Sequence, residues 1–186
     1  MNNIEINSTK IEGLMRLERK VFNDSRGSFF RVFDEQLKKY IQLDNLKTQI
    51  NVSVTEKKGT IRGMHFQYPP YAEKKIVTCL VGKVIDIVID LRKESKTFMC
   101  SHSEILCSKE ANSILIPEGF AHGFQALEDN SHLIYIHSNL YKKSHESGIH
   151  PMDPFIDIKW PIKESMISEK DNSLQLIKSK FNGIEI

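Results

Sequence analysis

Two β-branched runs meet across a glycine at the centre of the chain. Lys75-Ile76-Val77-Thr78-Cys79-Leu80-Val81 leads into Gly82-Lys83, and Val84-Ile85-Asp86-Ile87-Val88-Ile89-Asp90 follows. Side chains of this kind are stiff at χ1 and pack well on a pleated surface, so each run reads as a strand and the pair as a β-hairpin. In the second run Asp86 and Asp90 share a face with Val84 and Val88, while Ile85, Ile87 and Ile89 share the other. Further strand-like runs occupy Ser103 to Cys107, Ser113 to Ile116, Gly123 to Leu127 and His132 to His137. Many short strands divided by turns predict a mainly β fold, an antiparallel sandwich or jelly roll with short peripheral helices.

Around this centre the chain is strand-like from Ile11 to Phe33, with a turn at Asn23-Asp24-Ser25-Arg26-Gly27. Asp34 to Leu43 reads as a short helix with Asp34 as its N-cap, because Leu37, Tyr40 and Ile41 recur at three- and four-residue spacing. From Ser165 onward the tail is more polar and reads as helical. Neither a repeat nor a low-complexity linker divides the 186 residues, which predicts one domain over 1–186.

An apolar fraction of 40% and a charged fraction of 27% suit a soluble globular chain. No apolar run is long enough to span a bilayer, and the N-terminal residues lack the basic-then-apolar plan of a signal peptide. A net charge of +2 argues against a broad nucleic-acid footprint. Cys79, Cys100 and Cys107 form no CxxC pair and read as reduced thiols of a cytoplasmic protein.

Two histidines carry the chemistry. His65 lies in Ile61-Arg62-Gly63-Met64-His65-Phe66-Gln67, and His122 ends the P-x-G-x-x-H spacing of Pro117-Glu118-Gly119-Phe120-Ala121-His122. Imidazole titrates near neutrality, so a sheltered histidine beside a cation is a candidate proton-transfer group as well as an ordinary core residue. The P-x-G-x-x-H spacing is common in cupins, which are double-stranded β-helix barrels. Metal-binding cupins add a His-x-His cluster; here the matching position is His65-Phe66-Gln67, without the second histidine. A catalytic zinc or iron site needs three protein ligands near one point, so no metal is expected. Regular alternation puts Arg62 and His65 on opposite strand faces, and both can serve one pocket only if a bulge at Gly63 re-aims one of them.

The chain resembles the dTDP-4-dehydrorhamnose 3,5-epimerase family. The matching pieces run in order from Asp24-Ser25-Arg26-Gly27-Ser28-Phe29 through Gln49-Ile50-Asn51, Ile61 to Gln67, Lys75-Ile76-Val77 and Asp90 to Ser95. Pro117 to Phe124, Tyr135, Asp153-Pro154, Trp160-Pro161 and Ser168-Glu169-Lys170-Asp171 complete them. The resemblance implies a cofactor-independent epimerase acting on a nucleotide-linked 4-keto-6-deoxy sugar. It implies His65 as base, Asp171 holding the other ring nitrogen of His65, Lys75 neutralising the enolate oxygen, and Tyr135 returning a proton from the opposite side. Arg26 and Arg62 present forked donors to the diphosphate, and Gln49, Asn51, Gln67, His122, Arg31 and Tyr141 join them as substrate-binding positions. Read without the resemblance, Tyr135 is a core tyrosine, Asp171 a helix cap and Lys75 a solvated lysine.

Two departures bear on substrate. After Arg26-Gly27-Ser28-Phe29-Phe30 the family usually places a glutamate, where this chain has Arg31. After Ser95 it usually shows Pro-Thr-Phe-Gly, where this chain has Lys96-Thr97-Phe98-Met99. Replacing an acceptor-only carboxylate with a donor-only guanidinium changes which base edge is welcome. A GDP-linked 4-keto heptose, or inversion at C3 alone, are therefore alternatives, and a non-catalytic sugar-binding cupin is a further one. The resemblance also implies a homodimer that exchanges an N-terminal strand.

Overall fold

The computed structural model describes residues 3–43, 47–177 and 181–186. Two six-stranded sheets face each other. The first holds β1 (Ile4–Ser8), β2 (Met15–Arg19), β5 (Gln49–Thr55), β7 (Lys75–Val81), β10 (Ser113–Ile116) and β12 (Ser131–His137), in the order β1-β2-β10-β7-β12-β5. The second holds β6 (Thr60–Gln67), β8 (Lys83–Asp90), β9 (Ser101–Cys107), β11 (Phe120–Ala126), β13 (Glu146–Gly148) and β14 (Met166–Ile167). Its order is β13-β6-β11-β8-β9, with β14 paired parallel to β6. A separate two-stranded ribbon, β3 (Phe22–Asp24) and β4 (Gly27–Phe29), stands exposed. This is the cupin-like jelly roll. Among the described residues no helix is long and apolar enough to cross a membrane.

The expected hairpin of the two central runs is not formed. β7 pairs with β10 and β12, whereas β8 pairs with β9 and β11 in the facing sheet. Gly82, at φ +77°, turns the chain from one sheet to the other. A Cβ there would lie 2.6 Å from the Ser131 hydroxyl, so the corner is too tight for a side chain. In a jelly roll each strand's hydrogen-bonding partners come from distant sequence, and adjacency in the chain does not fix them.

Strand alternation sorts the apolar residues into layers. Val77, Cys79, Val84, Val88, Leu106, Ile114, Phe120, Phe124 and Leu133 meet between the sheets. Ile76, Leu115 and Ile136, one position out of phase, face outward under helix α1 (Glu35–Ile41), where they pack on Leu37 and Ile41. Asp34 caps that helix, accepting from the Gln36 and Leu37 amides at 3.0 and 3.1 Å, an interaction worth about 1 kcal/mol. On the opposite outer face Met64, Phe66, Ile87 and Ile89 are covered by Ile149 and Ile184.

Among the described residues the C-terminal tail is mostly irregular rather than helical. It contains one short helix, α2 (Glu169–Asn172), and Ile184 bridges to Arg92; residues 178–180 lie outside the described residues. Polar sequence alone does not make a helix, and here the segment lies along the barrel. β1 and β5, of five and seven residues and half polar, are not among the strands read from the sequence.

The demand on Gly63 is met. In the β6–β11 pairing His65 stands opposite His122 and Arg62 opposite Phe124, with a register shift between. Gly63 has φ +123°, and a Cβ there would lie 2.5 Å from Cα of Gly123 and 2.7 Å from the His122 carbonyl. Gly63→Ala is expected to cost about 2 kcal/mol or more of folding stability, read from the urea midpoint. A loss below about 0.5 kcal/mol would show that the two strands part easily.

Candidate active site

The same alternation that builds the core delivers polar groups to one end of the barrel. Lys75 continues the inward row of Val77 and Cys79; Tyr135 and His137 continue that of Leu133; His122 sits between Phe120 and Phe124; Asp86 sits between Val84 and Val88. With His65 and Gln67 from β6, most of them line a cavity of about 410 Å³, a size that suits a small organic ligand.

His65 Nε2 lies 2.7 Å from Oδ1 of Asp171, and Oδ2 of Asp171 accepts from the Gly63 amide at 3.1 Å. Burial works against the Asp171 charge, but these bonds and the nearby Lys170 outweigh it and hold the carboxyl below its ordinary range. An ionised Asp171 takes the proton-bearing Nε2, which leaves Nδ1 as the nitrogen with a lone pair. Asp171 does not cap α2; Ser168 does, accepting from the Asp171 amide at 3.1 Å.

From the other sheet Tyr135 reaches the Ser53 hydroxyl at 3.3 Å. Burial drives its phenol well above the ordinary tyrosine range, so it stays protonated. Its ring meets His122 edge-on at 6.2 Å and stacks on His137 at 5.9 Å. His122 donates or accepts through Nε2 at 2.8 Å from Asp86. Lys75 pairs with Glu73 at 2.9 Å. His137 is pushed down to about 4, first by burial and then by Lys75, so it is neutral near pH 7.

At the rim, Arg62 is held by Thr55 and the Val54 carbonyl, each at 3.1 Å. Tyr141 donates to Glu146 at 2.9 Å, and Lys170 binds the other oxygen of Glu146 at 2.7 Å. Gln49 donates to Asn51 at 3.1 Å and both line the cavity. Gln67 lines it too, but its amide is engaged with Tyr71, Glu73 and the Lys142 amide.

Two expected positions lie away from this cavity. Arg26 is at the tip of the exposed ribbon, its side chain 88% exposed and paired with Asp24. Arg31 is exposed, and its carbonyl accepts from Arg19 at 2.9 Å. Both belong to an N-terminal segment that the strand order carries away from the mouth. Conversely, Ser53, Glu73, His137, Glu146 and Lys170 enter the lining without having been singled out. His137 was signalled by its place two residues after Tyr135 on one strand. Among the described residues no group of three or more His, Cys, Asp or Glu side chains gathers to hold a metal ion.

Fold and site together define a cupin-like barrel with a histidine–carboxylate dyad on one wall and a protonated phenol on the other. The sequence matches the family described as dTDP-4-dehydrorhamnose 3,5-epimerase over residues 8–179. It is 39% identical over 168 residues to the dTDP-4-dehydrorhamnose 3,5-epimerase of Shigella flexneri, covering 88% of this chain and 90% of that one. The Bacillus anthracis enzyme of that name, solved with TDP and pyrophosphate bound, superposes with a TM-score of 0.87 at 33% identity, over 94% of this chain and 99% of that chain. A Legionella pneumophila dTDP-6-deoxy-D-glucose 3,5-epimerase, solved with dTDP-4-keto-L-rhamnose, gives a TM-score of 0.85 at 32% identity, over 93% of this chain and 92% of that chain. The chain belongs to the dTDP-4-dehydrorhamnose 3,5-epimerase family, isomerases that act on sugars.

The neutrality of His137 has a consequence for stability. The folded protein holds it unprotonated down to about pH 4, whereas the unfolded chain takes up a proton near 6.5. The stability it contributes is therefore complete above pH 6.5 and lost as pH falls toward 4. His137→Gln is expected to flatten the acid-side fall in melting temperature within that window; identical slopes in the two proteins would contradict the shift.

Proposed function

We propose that this chain epimerises a nucleotide-linked 4-keto-6-deoxy sugar, of the dTDP-4-dehydro-6-deoxyglucose type, without a cofactor. One observation carries the assignment of roles: the His65–Asp171 dyad comes from β6 and α2 on one wall, and Tyr135 comes from β12 in the opposing sheet. A sugar ring between them would meet a base on one face and an acid on the other.

The ketone acidifies the hydrogens on its two neighbouring carbons. His65, through the nitrogen that Asp171 leaves free, takes one of them as a proton, and the C–H electron pair moves into the carbonyl to give an enolate. The Lys75 ammonium stabilises the oxyanion. The carbonyl re-forms as carbon takes the Tyr135 proton from the opposite face; the resulting tyrosinate regains a proton from solvent, and the His65 imidazolium releases its proton to solvent. Arg62 and Lys170, cationic groups at the cavity, suit the diphosphate. The relatives' bound ligands, TDP and dTDP-4-keto-L-rhamnose, support a thymidine nucleotide.

Incubation with dTDP- and GDP-linked 4-keto sugars in deuterated water tests this. Deuterium is expected at the carbons beside the ketone, with the dTDP sugar preferred, and the pattern shows whether C3, C5 or both invert. His65→Ala and Tyr135→Phe are expected to slow exchange by about 10²–10⁴-fold. Normal exchange in both variants would refute the roles, and tight binding without any exchange would make the chain a sugar-binding protein. Activity that a chelator abolishes would bring back the metal reading.

The working form we propose is a homodimer in the cytoplasm. Ile50, Val52 and Val54 point outward from the edge strand β5, at 49–60% exposure, and Phe22 and Phe29 lie bare on the ribbon. Such apolar edges call for a cover. In a dimer that exchanges its N-terminal segment, the ribbon would carry Arg26 toward a partner's cavity, which gives that residue a role its own subunit does not offer. The free thiols suit a reducing compartment. Light scattering is expected to give twice the chain mass, reduced toward one chain by Val52→Asp; a monomeric wild type would overturn the dimer.

A further inference from the structure

The ammonium of Lys75 has a built environment. It lies 2.9 Å from Oε1 of Glu73, and the two side chains are only 8% and 7% exposed. The other oxygen of Glu73 accepts from the Gln67 amide at 2.9 Å. Gln67 is fixed in turn, donating to the Tyr71 carbonyl at 2.9 Å and accepting from the Lys142 amide at 2.6 Å. Glu73 therefore cannot swing away from Lys75 without breaking a chain of three residues. An enclosed ion pair is a poor device for stability, because removing both charges from water costs about as much as their attraction returns. Its place at the cavity, beside the group that meets the oxyanion, asks for another explanation.

Resting on the reading of Lys75 as the oxyanion stabiliser, we infer that Glu73 is a positioning residue that keeps the Lys75 ammonium charged and aimed into the cavity, and that Gln67 holds Glu73 in place for this. A lysine enclosed without a partner favours its neutral amine, which cannot neutralise an enolate. Glu73 opposes that tendency. Burial alone would raise the Glu73 pKa, but Lys75 and Gln67 outweigh it and hold the carboxyl below its ordinary range. The other titratable groups facing Lys75 do not supply the negative charge. His137, opposite it in register on β12, is neutral. Tyr135 is protonated, and Glu118 interacts with Lys74 and Glu73 rather than with Lys75. His65 and His122 lie across the cavity with Asp171 and Asp86 as their own partners.

The test is the pH profile of kcat for exchange in Glu73→Gln, which removes the charge and keeps the shape. At neutral pH kcat is expected to fall about tenfold or more, KM to change by less than about threefold, and the alkaline limb to move down by roughly one pH unit or more. Glu73→Asp, which keeps the charge, is expected to restore the limb to near its original position. A Glu73→Gln protein with a lower melting temperature but an unmoved limb would overturn the inference. Should that variant not fold, Gln67→Leu loosens Glu73 without changing any charge and is expected to lower kcat several-fold and to move the alkaline limb down; an unchanged kcat and limb overturn the inference. Lys75→Met separates the two levels. If it keeps wild-type exchange, the reading of Lys75 fails; if it loses exchange while Glu73→Gln behaves as wild type, only the role of Glu73 fails.

Discussion

The carboxylate of Asp171 joins two parts of the molecule that the chain separates by more than a hundred residues. One oxygen holds His65 and the other the Gly63 amide, 106 and 108 positions away. The bulge at Gly63 turns Arg62 and His65 toward the same cavity, and Asp171 satisfies the backbone donor that the bulge leaves unpaired. The same bond fixes which imidazole nitrogen carries the proton. α2, only four residues long, is held in place by this contact and by the parallel pairing of β14 with β6. Without Asp171 the His65 ring would lose its orientation and the strand its local geometry together.

The barrel divides its interior by chemistry. Toward one end the inward rows are Val77, Cys79, Val84, Val88 and Leu133, which exclude water and hold the sheets together. Toward the other end the rows continue as Lys75, Tyr135 and His137, while Asp86 and His122 interrupt theirs between Val84 and Val88 and between Phe120 and Phe124. Burying polar groups is costly unless each has a partner, and here they come in pairs: His65 with Asp171, His122 with Asp86, Lys75 with Glu73, Tyr135 with Ser53. Burial and these partners together set protonation states as well. A protonated phenol, a neutral His137 and an ionised Asp171 all follow from where these groups sit, and a proton-transfer site needs them fixed before its ligand arrives.

Much of this was legible in the sequence because strand alternation is local. The parity of Val84, Asp86 and Val88 against Ile85, Ile87 and Ile89 separated the two faces, and the structure turns the first set inward; Leu133 with Tyr135 follows the same rule. The N-cap at Asp34 and the need for a bulge at Gly63 were equally local matters, the first of side-chain reach and the second of counting residues. The His65–Asp171 partnership came from resemblance to a family, since a separation of 106 residues leaves no local trace. Glu73 and His137 went unnoticed because a buried ion pair and a depressed histidine are properties of surroundings rather than of residue type.

The sequence by itself determined the central strands, the alternation of faces along them and the residue types able to move a proton. Tertiary structure decided which strands pair, and it overruled the apparent hairpin because Gly82 sends β7 and β8 into opposite sheets. That choice places His65 and Tyr135 on facing walls. Side-chain parity depends only on the backbone's two-residue repeat, whereas sheet membership depends on the packing of all the strands at once.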